Sequence, residues 1–284
     1  MKNFLLITNS AKDINAEYSK KVIETLERHG CRCCAHFQTS EKNGGGFALA
    51  DPVDVPAETE AVLSLGGDGT FIHVSKDLLK LDIPVLGINL GTLGYLTEVG
   101  TDQLESAVEA LASDNYHIEE HILLKGTILR DGKPFRSDLA LNDIVMNRSI
   151  MTGISYFDLK IDGKFLNGYA ADGIIVSTPT GSTGYNLSAG GPIVLPTASI
   201  VLITPLCAHT LNSRSIVLPA NVRIEIIPRV RDDRKQLNYV SFDGEQEIRL
   251  EDGDEISIRM ADVGTKIIKI NDTSFVENLS KKMR

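Results

Sequence analysis

A glycine-rich segment between an apolar run and a helix-like segment constrains the fold of this chain most strongly. The segment reads Gly66-Gly67-Asp68-Gly69-Thr70 and follows the apolar residues 61–65. Because glycine has no Cβ, the backbone can enter positive-φ turns there and other groups can approach it closely. A strand that turns through such a loop into a helix is a building unit of α/β folds.

The same loop predicts a site for phosphate groups. Backbone N–H groups and the following helix N-terminus present partial positive charge to an anion. Asp68 does not fit passive phosphate binding, because a carboxylate repels phosphates unless it accepts a proton from an attacking hydroxyl or holds a metal ion. The loop therefore favours phosphoryl transfer.

Strands and helices alternate around the loop. The pattern predicts strands at 4–8, 61–65 and 84–88 and helices at 14–29 and 70–80. This alternation is typical of right-handed β-α-β units with a parallel sheet. Ligands of such sheets bind beyond the carboxyl ends of the strands, which is where the glycine loop lies.

From about residue 116 the apolar residues recur at every second position, which is typical of strands. Asp131-Gly132, Asp162-Gly163 and Asp252-Gly253 are dipeptides of hairpin turns. We expect an N-terminal α/β nucleotide-binding-like domain with a parallel sheet at 1–115 and a C-terminal multi-stranded antiparallel β domain at 116–267. The tail, about 268–284, can pack back on the first domain.

Composition and charge exclude several classes of partner. The chain has 284 residues, 42% of them hydrophobic, and a net charge of −9. Nucleic-acid binding needs a basic face, so no nucleic-acid partner is expected. No apolar run approaches the roughly 20 residues that span a bilayer, and the first eight residues lack a signal-peptide profile. We expect no membrane partner and a cytoplasmic location.

A second polar, glycine-rich run covers residues 172–192 in the β half. Hydroxyls and an amide able to bind a base or a sugar come from Thr180, Ser182, Thr183, Tyr185 and Asn186. The alternative is a long turn held by its own Ser and Thr hydrogen bonds. Asn142-Asp143 and Asp243-Gly244 can equally be a bulge and a plain turn.

Together these residues resemble the NAD kinase family, which phosphorylates the 2′-hydroxyl of the adenosine ribose of NAD. The glycine loop alone is weak evidence, because lipid kinases and phosphofructokinases carry similar versions. The Ser-Thr-Pro-Thr-Gly-Ser-Thr run at 177–183 is highly specific. The remaining pieces are Gly87-Ile88-Asn89, Gly94-Tyr95-Leu96, Asn142-Asp143 and residues 205–211.

The resemblance implies NAD bound between the two domains of a homodimer or homotetramer whose sites can borrow residues from a neighbouring subunit. Asp68 matches the family's proposed general base. The implied contacts to substrate or cofactor are Gly67, Gly69, Thr70, Tyr95, Asn142, Asp143, Asp172, Thr180, Thr183, Gly184, Tyr185, Asn186 and Asp243.

The implied reaction uses ATP or polyphosphate as the donor and Mg²⁺ bound mainly through the donor phosphates. Asp143 stands where most relatives carry Glu, so we expect some contacts to hydroxyls to run through water. Positive charge beside the phosphates is expected from Arg214, Lys76, a neighbouring subunit or a metal ion. Two other functions remain open: a lipid kinase of the same superfamily and a non-catalytic NAD-binding sensor.

Overall fold

A computed structural model of the chain describes residues 1–38, 55–91, 94–149, 153–209, 213–229, 237–270 and 275–283. The chain divides into two compact units. The first comprises Met1–Glu120 and Thr265–Arg284, and the second comprises His121–Gly264. The C-terminal residues from Thr265 onward therefore belong to the same unit as the glycine loop.

The strands of the described residues are, in chain order, β1 Asn3–Asn9, β2 Arg32–Gln38, β3 Ala61–Gly66, β4 Val85–Asn89, β5 Val99–Gly100, β6 His117–Arg130, β7 Lys133–Ala140, β8 Asp143–Arg148, β9 Ser155–Ile161, β10 Lys164–Ala171, β11 Gly173–Ser177, β12 Ile200–Leu206, β13 Ile216–Pro219, β14 Ile224–Arg229, β15 Asn238–Phe242, β16 Ile248–Arg249 and β17 Glu255–Lys269. The helices are α1 Glu17–Arg28, α2 Asp68–Asp77, α3 Leu104–Ala112, α4 Tyr185–Ser188 and α5 Phe275–Lys282. None of these described helices combines the length and apolar character that a membrane crossing requires.

The first unit is built on the predicted parallel sheet. Strand β1 pairs with β2 and β3, and β4 pairs with β3 and β5, all in parallel. The end of β17 adds to β4, with Ile267 opposite Val85. Successive side chains of a strand point to opposite faces. One face packs against α1 and α3, and on the other Phe71 of α2 lies against Gly87.

The first helix differs from the prediction at its start. Asn15 and Ala16 take left-handed backbone angles, with φ of 58° and 55°, and α1 begins only after them. Asp13 explains the late start, because its carboxylate accepts the N–H of Tyr18 at 2.9 Å and the N–H of Ser19 at 3.0 Å. A side chain that binds the free N–H groups of a first turn fixes where the helix begins.

The second unit consists of two facing β-sheets. One runs in the order β7-β6-β17-β14-β9-β10, and the other in the order β13-β12-β11-β8-β15-β16. The neighbouring strands from β13 to β16 are all antiparallel. Apolar residues from both sheets fill the space between them, among them Ile144, Phe157, Ile174 and Phe242. The predicted antiparallel β domain is confirmed.

Two of the three predicted hairpin dipeptides join paired strands. Asp131-Gly132 has φ of 50° and 72°, and Asp162-Gly163 has φ of 49° and 78°, the double positive φ of a type I′ turn. The expectation for Asp252-Gly253 was wrong. It connects β16, which pairs with β15, to β17, which pairs with β14. The next residue, Asp254, binds the guanidinium of Arg130 on β6 through both oxygens and so anchors the chain to the other sheet.

Candidate active site

The glycine loop lies at the carboxyl end of β3. Gly66 ends the strand and Gly67 precedes α2, with the extended angles φ −142° and ψ −174°. A Cβ on Gly66 would lie 2.5 Å from Oγ1 of Thr70, which is closer than a Cβ atom can approach another heavy atom without a clash. The first glycine is therefore required for the strand to pass tightly into the helix.

The other loop residues face different surroundings. Thr70 is only 2% exposed, and its hydroxyl accepts the amide N–H of Asn9 at 3.5 Å, so the side chain helps to hold the loop. Gly69 is exposed, and a Cβ there would have no heavy atom within 4 Å. A Cβ on Gly67 would lie 3.2 Å from Nζ of Lys12. Gly67 and Gly69, and not Thr70, present open backbone to a ligand.

The carboxylate of Asp68 is held by the segment that follows β4. Its Oδ2 accepts the backbone N–H of Tyr95 at 2.7 Å. Its Oδ1 accepts the N–H groups of Leu96 at 3.2 Å and Thr97 at 3.0 Å, and the Thr97 hydroxyl at 2.9 Å. Because a carboxylate oxygen carries two lone pairs, Oδ2 keeps more room than Oδ1 for another hydrogen-bond donor.

Neighbouring residues fix this arrangement. A Cβ on Gly94 would lie 1.7 Å from Oδ1 of Asp68, so only glycine leaves space for the carboxylate. Asn89, at the end of β4, donates from its amide to the Thr97 hydroxyl at 2.7 Å and accepts the N–H of Gly91 at 2.6 Å. Asp68 is thus preorganised by a short polar network.

A cleft of about 580 Å³ opens over this network in the first unit. Its lining residues are Lys12, Gly66, Gly67, Asp68, Asn89, Leu90, Gly91, Gly94 and Lys282. Sequence reasoning did not name Lys12, Gly91 or Lys282, and it cited Asn89 only as part of a motif and not as a side-chain contact. Lys12 follows β1, and the carboxyl ends of neighbouring parallel strands meet at one edge, so its position could have been found. Lys282 lies in the tail and carries no such signal.

The predicted sources of positive charge differ from these two lysines. Lys76 lies on α2 but does not line the cleft, and Arg214 belongs to the second unit, where its guanidinium donates to the carbonyl of Ser213 at 2.8 Å. Lys282 stacks on the ring of Tyr95, with Nζ 3.9 Å from the ring centroid. Partial desolvation there lowers the pKa of Lys282, and the negative charge of Asp68 opposes that shift.

In the second unit, most predicted site residues lie together where the neighbouring strands β8, β11 and β15 of the second sheet begin or end. Asn142 precedes β8 and Asp143 starts it, the run from Thr178 follows β11, and Asp243 follows β15. The Asp243 carboxylate accepts the N–H groups of Leu141 at 2.9 Å, Asn142 at 2.7 Å and Asp143 at 3.1 Å. Asp243 therefore shapes the turn that presents the other two.

Asn142 has a buried acceptor without a donor, and Asp143 has a raised pKa. Oδ1 of Asn142 is buried and has no hydrogen-bond partner within the described parts of the chain. Burial, together with the charge of Asp243, raises the pKa of Asp143 to about 7. A buried acceptor without a donor costs on the order of 1–3 kcal/mol, so a ligand donor here would be favourable.

The residues after β11 divide into supporting and open positions. Thr180 is buried and its hydroxyl lies 2.9 Å from Nδ1 of His121. The Thr183 hydroxyl donates to the carbonyl of Thr180 at 3.4 Å. Tyr185 is 49% exposed, and a Cβ on Gly184 would lie 3.3 Å from the carbonyl of Gly181. Tyr185 is the side chain of this group that is most open to a ligand.

Asn186 is fully buried and its amide is used inside the protein. The NH₂ group donates to the carbonyls of Ser182 at 3.2 Å and Pro192 at 3.1 Å, and Oδ1 accepts the Thr204 hydroxyl at 2.7 Å. A Cβ on Gly191 would lie 2.0 Å from Oδ1 of Asn186. These bonds tie the polar run to itself and to β12.

Asp172 lies beside the opposite end of β11, away from these residues. It precedes β11, whose other end reaches Ser177 opposite Asp143, so the two carboxylates are separated by about five residues, roughly 16 Å along the strand. The Asp172 carboxylate accepts from Nε of Arg148 at 2.7 Å. Within this chain, Asp172 does not join the group around Asn142.

The cleft in the first unit has the features of a phosphotransferase, with open glycine backbone, a preorganised carboxylate and two ammonium groups at the carboxyl edge of a parallel sheet. Comparison with protein families gives the particular one. The ATP-NAD kinase N-terminal domain matches residues 4–116, and the ATP-NAD kinase C-terminal domain matches residues 141–270. The chain belongs to the NAD kinase family, which confirms the predicted resemblance.

Relatives and solved structures agree with this assignment. The chain is 42% identical to the NAD kinase of Agathobacter rectalis, covering 100% of this chain and 99% of the relative, and 38% identical to that of Lachnospira eligens, covering 100% of both. The fold is similar to yeast NADH kinase complexed with NADH, with a TM-score of 0.86, 24% identity and coverage of 100% and 87%. It is also similar to an NAD kinase from Archaeoglobus fulgidus in complex with ATP, with a TM-score of 0.75, 23% identity and coverage of 99% and 98%.

Proposed function

We propose that this chain transfers the terminal phosphoryl group of ATP or polyphosphate to the 2′-hydroxyl of the adenosine ribose of NAD, which gives NADP. The observation that carries the proposal is the cleft in which Asp68 lies between open glycine backbone and two lysines. Membership of the NAD kinase family supports the substrate. The complexes of two similar folds with NADH and with ATP support the same pair of ligands.

Asp68 is the proposed general base. The 2′-oxygen attacks the terminal phosphorus, a new O–P bond forms, and the bond from phosphorus to the bridging oxygen breaks with its electron pair on the leaving phosphate chain. Oδ2 of Asp68 takes the proton of the 2′-hydroxyl, because in the free protein it accepts only the N–H of Tyr95 among the described residues. The N–H groups around Oδ1 keep the carboxylate in place.

The donor phosphates are proposed to lie against Gly67 and Gly69, where open backbone follows the strand and precedes α2. No group of three or more His, Cys, Asp or Glu side chains suited to a metal occurs among the residues that the structure describes. We therefore expect the donor phosphates and water to be the ligands of a Mg²⁺ ion, which would neutralise the charge that develops on the phosphoryl oxygens.

The second unit is proposed to bind NAD through its open polar groups. Oδ1 of Asn142 needs a donor, which a ribose hydroxyl supplies. Asp143 can act as donor or acceptor near neutral pH, because its raised pKa lies close to 7. Tyr185 offers an exposed ring and hydroxyl, whereas Thr180, Asn186 and Asp243 act by holding the backbone of these residues in place.

Asp172 is proposed to act in the site of a neighbouring subunit. The distance along β11 keeps it away from Asp143 of its own chain, yet it matches an acidic binding residue of the family. In a homodimer or homotetramer, the Asp172 end of β11 in one chain could lie beside the Asp143 end in a neighbouring chain. Both carboxylates would then act in one site. This arrangement would account for the position of Asp172 at the far end of β11 from Asp143.

The test is to incubate the purified protein with NAD, Mg²⁺ and either ATP or polyphosphate, and to follow NADP with an NADP-specific dehydrogenase. NADP should appear with at least one donor. NAD binding without any NADP would instead favour the non-catalytic sensor. Neither binding nor turnover would contradict both proposals.

A further inference from the structure

The C-terminal helix α5 carries Lys282 into the cleft of the glycine loop. Lys282 is the last residue of α5 and lines the cleft together with Lys12 and Asp68. Both Lys282 and its neighbour Lys281 are exposed, but Lys281 does not line the cleft. The helix therefore points one lysine of an adjacent pair at the site and the other away from it.

Tyr95 holds Lys282 in this position. Nζ lies 3.9 Å from the centroid of the Tyr95 ring, a cation–π contact. The backbone N–H of the same tyrosine donates to Oδ2 of Asp68 at 2.7 Å. One residue thus sets the place of the ammonium group with its ring and the place of the carboxylate with its backbone.

Lys12 supplies a second positive charge from another element. It lies in the turn after β1, where its N–H donates to the carbonyl of Asn9 at 2.9 Å, and its ammonium group faces Gly67. Within the described residues neither Lys12 nor Lys282 forms an ion pair with a carboxylate within 4.0 Å, whereas Lys266 and Lys269 of the same unit do. The cleft therefore keeps two cations available although the chain carries a net charge of −9.

We propose that Lys282 and Lys12 clamp the phosphate chain of the donor, Lys282 at the phosphoryl group that is transferred and Lys12 at the phosphates that leave. The assignment follows from position, because Lys282 stacks on Tyr95, whose N–H binds Asp68, and Lys12 lies beside Gly67. It rests on the proposed function for the identity of the reaction. Both ammonium groups bind phosphates as point charges and contact no base, so the clamp accepts a nucleoside triphosphate and inorganic polyphosphate alike.

The experiment compares Lys282→Gln with Lys281→Gln, the matched control on the same helix. Binding of ATP and of inorganic tripolyphosphate is measured by calorimetry without NAD, and the KM values for donor and for NAD are measured separately. Lys282→Gln should weaken the binding of both phosphate compounds about tenfold, since it removes one charge-assisted hydrogen bond. Lys281→Gln should change neither, and Lys282→Arg should restore most of the binding. The KM for the donor should rise while the KM for NAD stays the same.

Several results overturn the clamp. These are unchanged binding in Lys282→Gln, an equal loss in Lys281→Gln, a loss for ATP but not for tripolyphosphate, failure of Lys282→Arg to restore binding, and absence of wild-type binding. The proposed function fails separately. If the wild type forms no NADP but Lys282→Gln still loses tripolyphosphate binding, the clamp stands and the reaction does not. If the wild type forms NADP and Lys282→Gln binds both compounds normally, the proposed reaction stands and the clamp does not.

Discussion

Asp68 orders the segment after β4 with its carboxylate and is also the proposed general base. Oδ1 accepts three hydrogen bonds and Oδ2 accepts one from the described residues. The carboxylate that looks misplaced beside a phosphate loop is therefore fixed by its neighbours. At the residue scale, the side chain of Asp68 therefore has both a stabilising role and a proposed catalytic role.

Replacing Asp68 by Asn is expected to lower kcat by about 10²–10⁴-fold, because the amide cannot take the hydroxyl proton. The NH₂ group also faces the N–H of Tyr95, which costs on the order of 1–3 kcal/mol of folding free energy. Steady-state kinetics, NAD binding and urea unfolding measure these effects, with Asp102→Asn on the exposed surface as the control. An equal loss of NAD binding and turnover would make Asp68 a ground-state contact.

Asp143 predicts a pH dependence of stability. Its pKa is raised to about 7 by burial and by the charge of Asp243, so the folded protein holds a proton that the unfolded chain has lost. The free energy of unfolding should therefore fall as pH rises from about 4 to about 7 and level off above that. Between pH 5 and pH 7 the loss should be on the order of 2 kcal/mol.

Urea unfolding at several pH values measures this dependence. Asp143→Asn should remove the slope, because the side chain no longer ionises. Asp172→Asn, at a half-exposed ion pair, should keep it. A slope that persists in Asp143→Asn would assign the proton to another group.

At the scale of elements, the polar run after β11 is held by its own buried amide. Asn186 bonds Ser182, Pro192 and Thr204, and Thr180 bonds His121. The turn held by its own bonds is therefore present at these residues, and a ligand surface stays a prediction for the open positions of the run. The open side chain is that of Tyr185.

Asn186→Ala is expected to lower the free energy of unfolding by about 1–3 kcal/mol, since it removes the NH₂ donor of the Ser182 and Pro192 carbonyls and the acceptor of the Thr204 hydroxyl, which keeps only Ser215 among the described residues. Tyr185→Ala should change stability little and weaken NAD binding instead. Chemical denaturation and calorimetry with NAD on both variants separate the two effects. A stable Asn186→Ala variant with weakened NAD binding would show that Asn186 contacts the ligand directly.

The elements with periodic patterns could be predicted, and those set by the hydrogen bonds of a single carboxylate could not. The strand before Gly66, the parallel sheet and the turns at Asp131 and Asp162 follow from local spacing and glycine chemistry. The late start of α1 depends on Asp13, and the path after Asp252 depends on the pair of Asp254 with Arg130. Such side-chain bonds between segments leave no periodic mark in the sequence.

At the scale of the whole molecule, the site combines residues from far apart in the chain. Lys12 and Lys282 flank the same cleft although 269 residues lie between them, and only the return of the tail to the first unit brings them together. The sequence could show the loop and the family. It could not show Lys282, because a lysine in a charged tail has the same pattern whether it faces solvent or a ligand.

The proposed sharing of sites between subunits predicts complementation. Asp68→Asn and Asp172→Asn proteins should each be nearly inactive when pure. If Asp172 acts in the neighbouring site, hybrids made by refolding an equal mixture carry one intact site in each mixed dimer, so about a quarter of wild-type activity should return. NADP formation before and after mixing measures this, with unmixed refolded variants as controls. No recovery in proven hybrids would place Asp172 in the site of its own chain.

The position of the transferred phosphate tests the central claim most directly. The protein is incubated with a ³²P-labelled donor, γ-labelled ATP or labelled polyphosphate according to which one supports NADP formation, with Mg²⁺ and either NAD or analogues that lack the 2′- or the 3′-hydroxyl of the adenosine ribose, and the label on the dinucleotide is measured. Label is expected on NAD and on the 3′-deoxy analogue and not on the 2′-deoxy analogue. Label on the 2′-deoxy analogue, or none on NAD, would contradict the account.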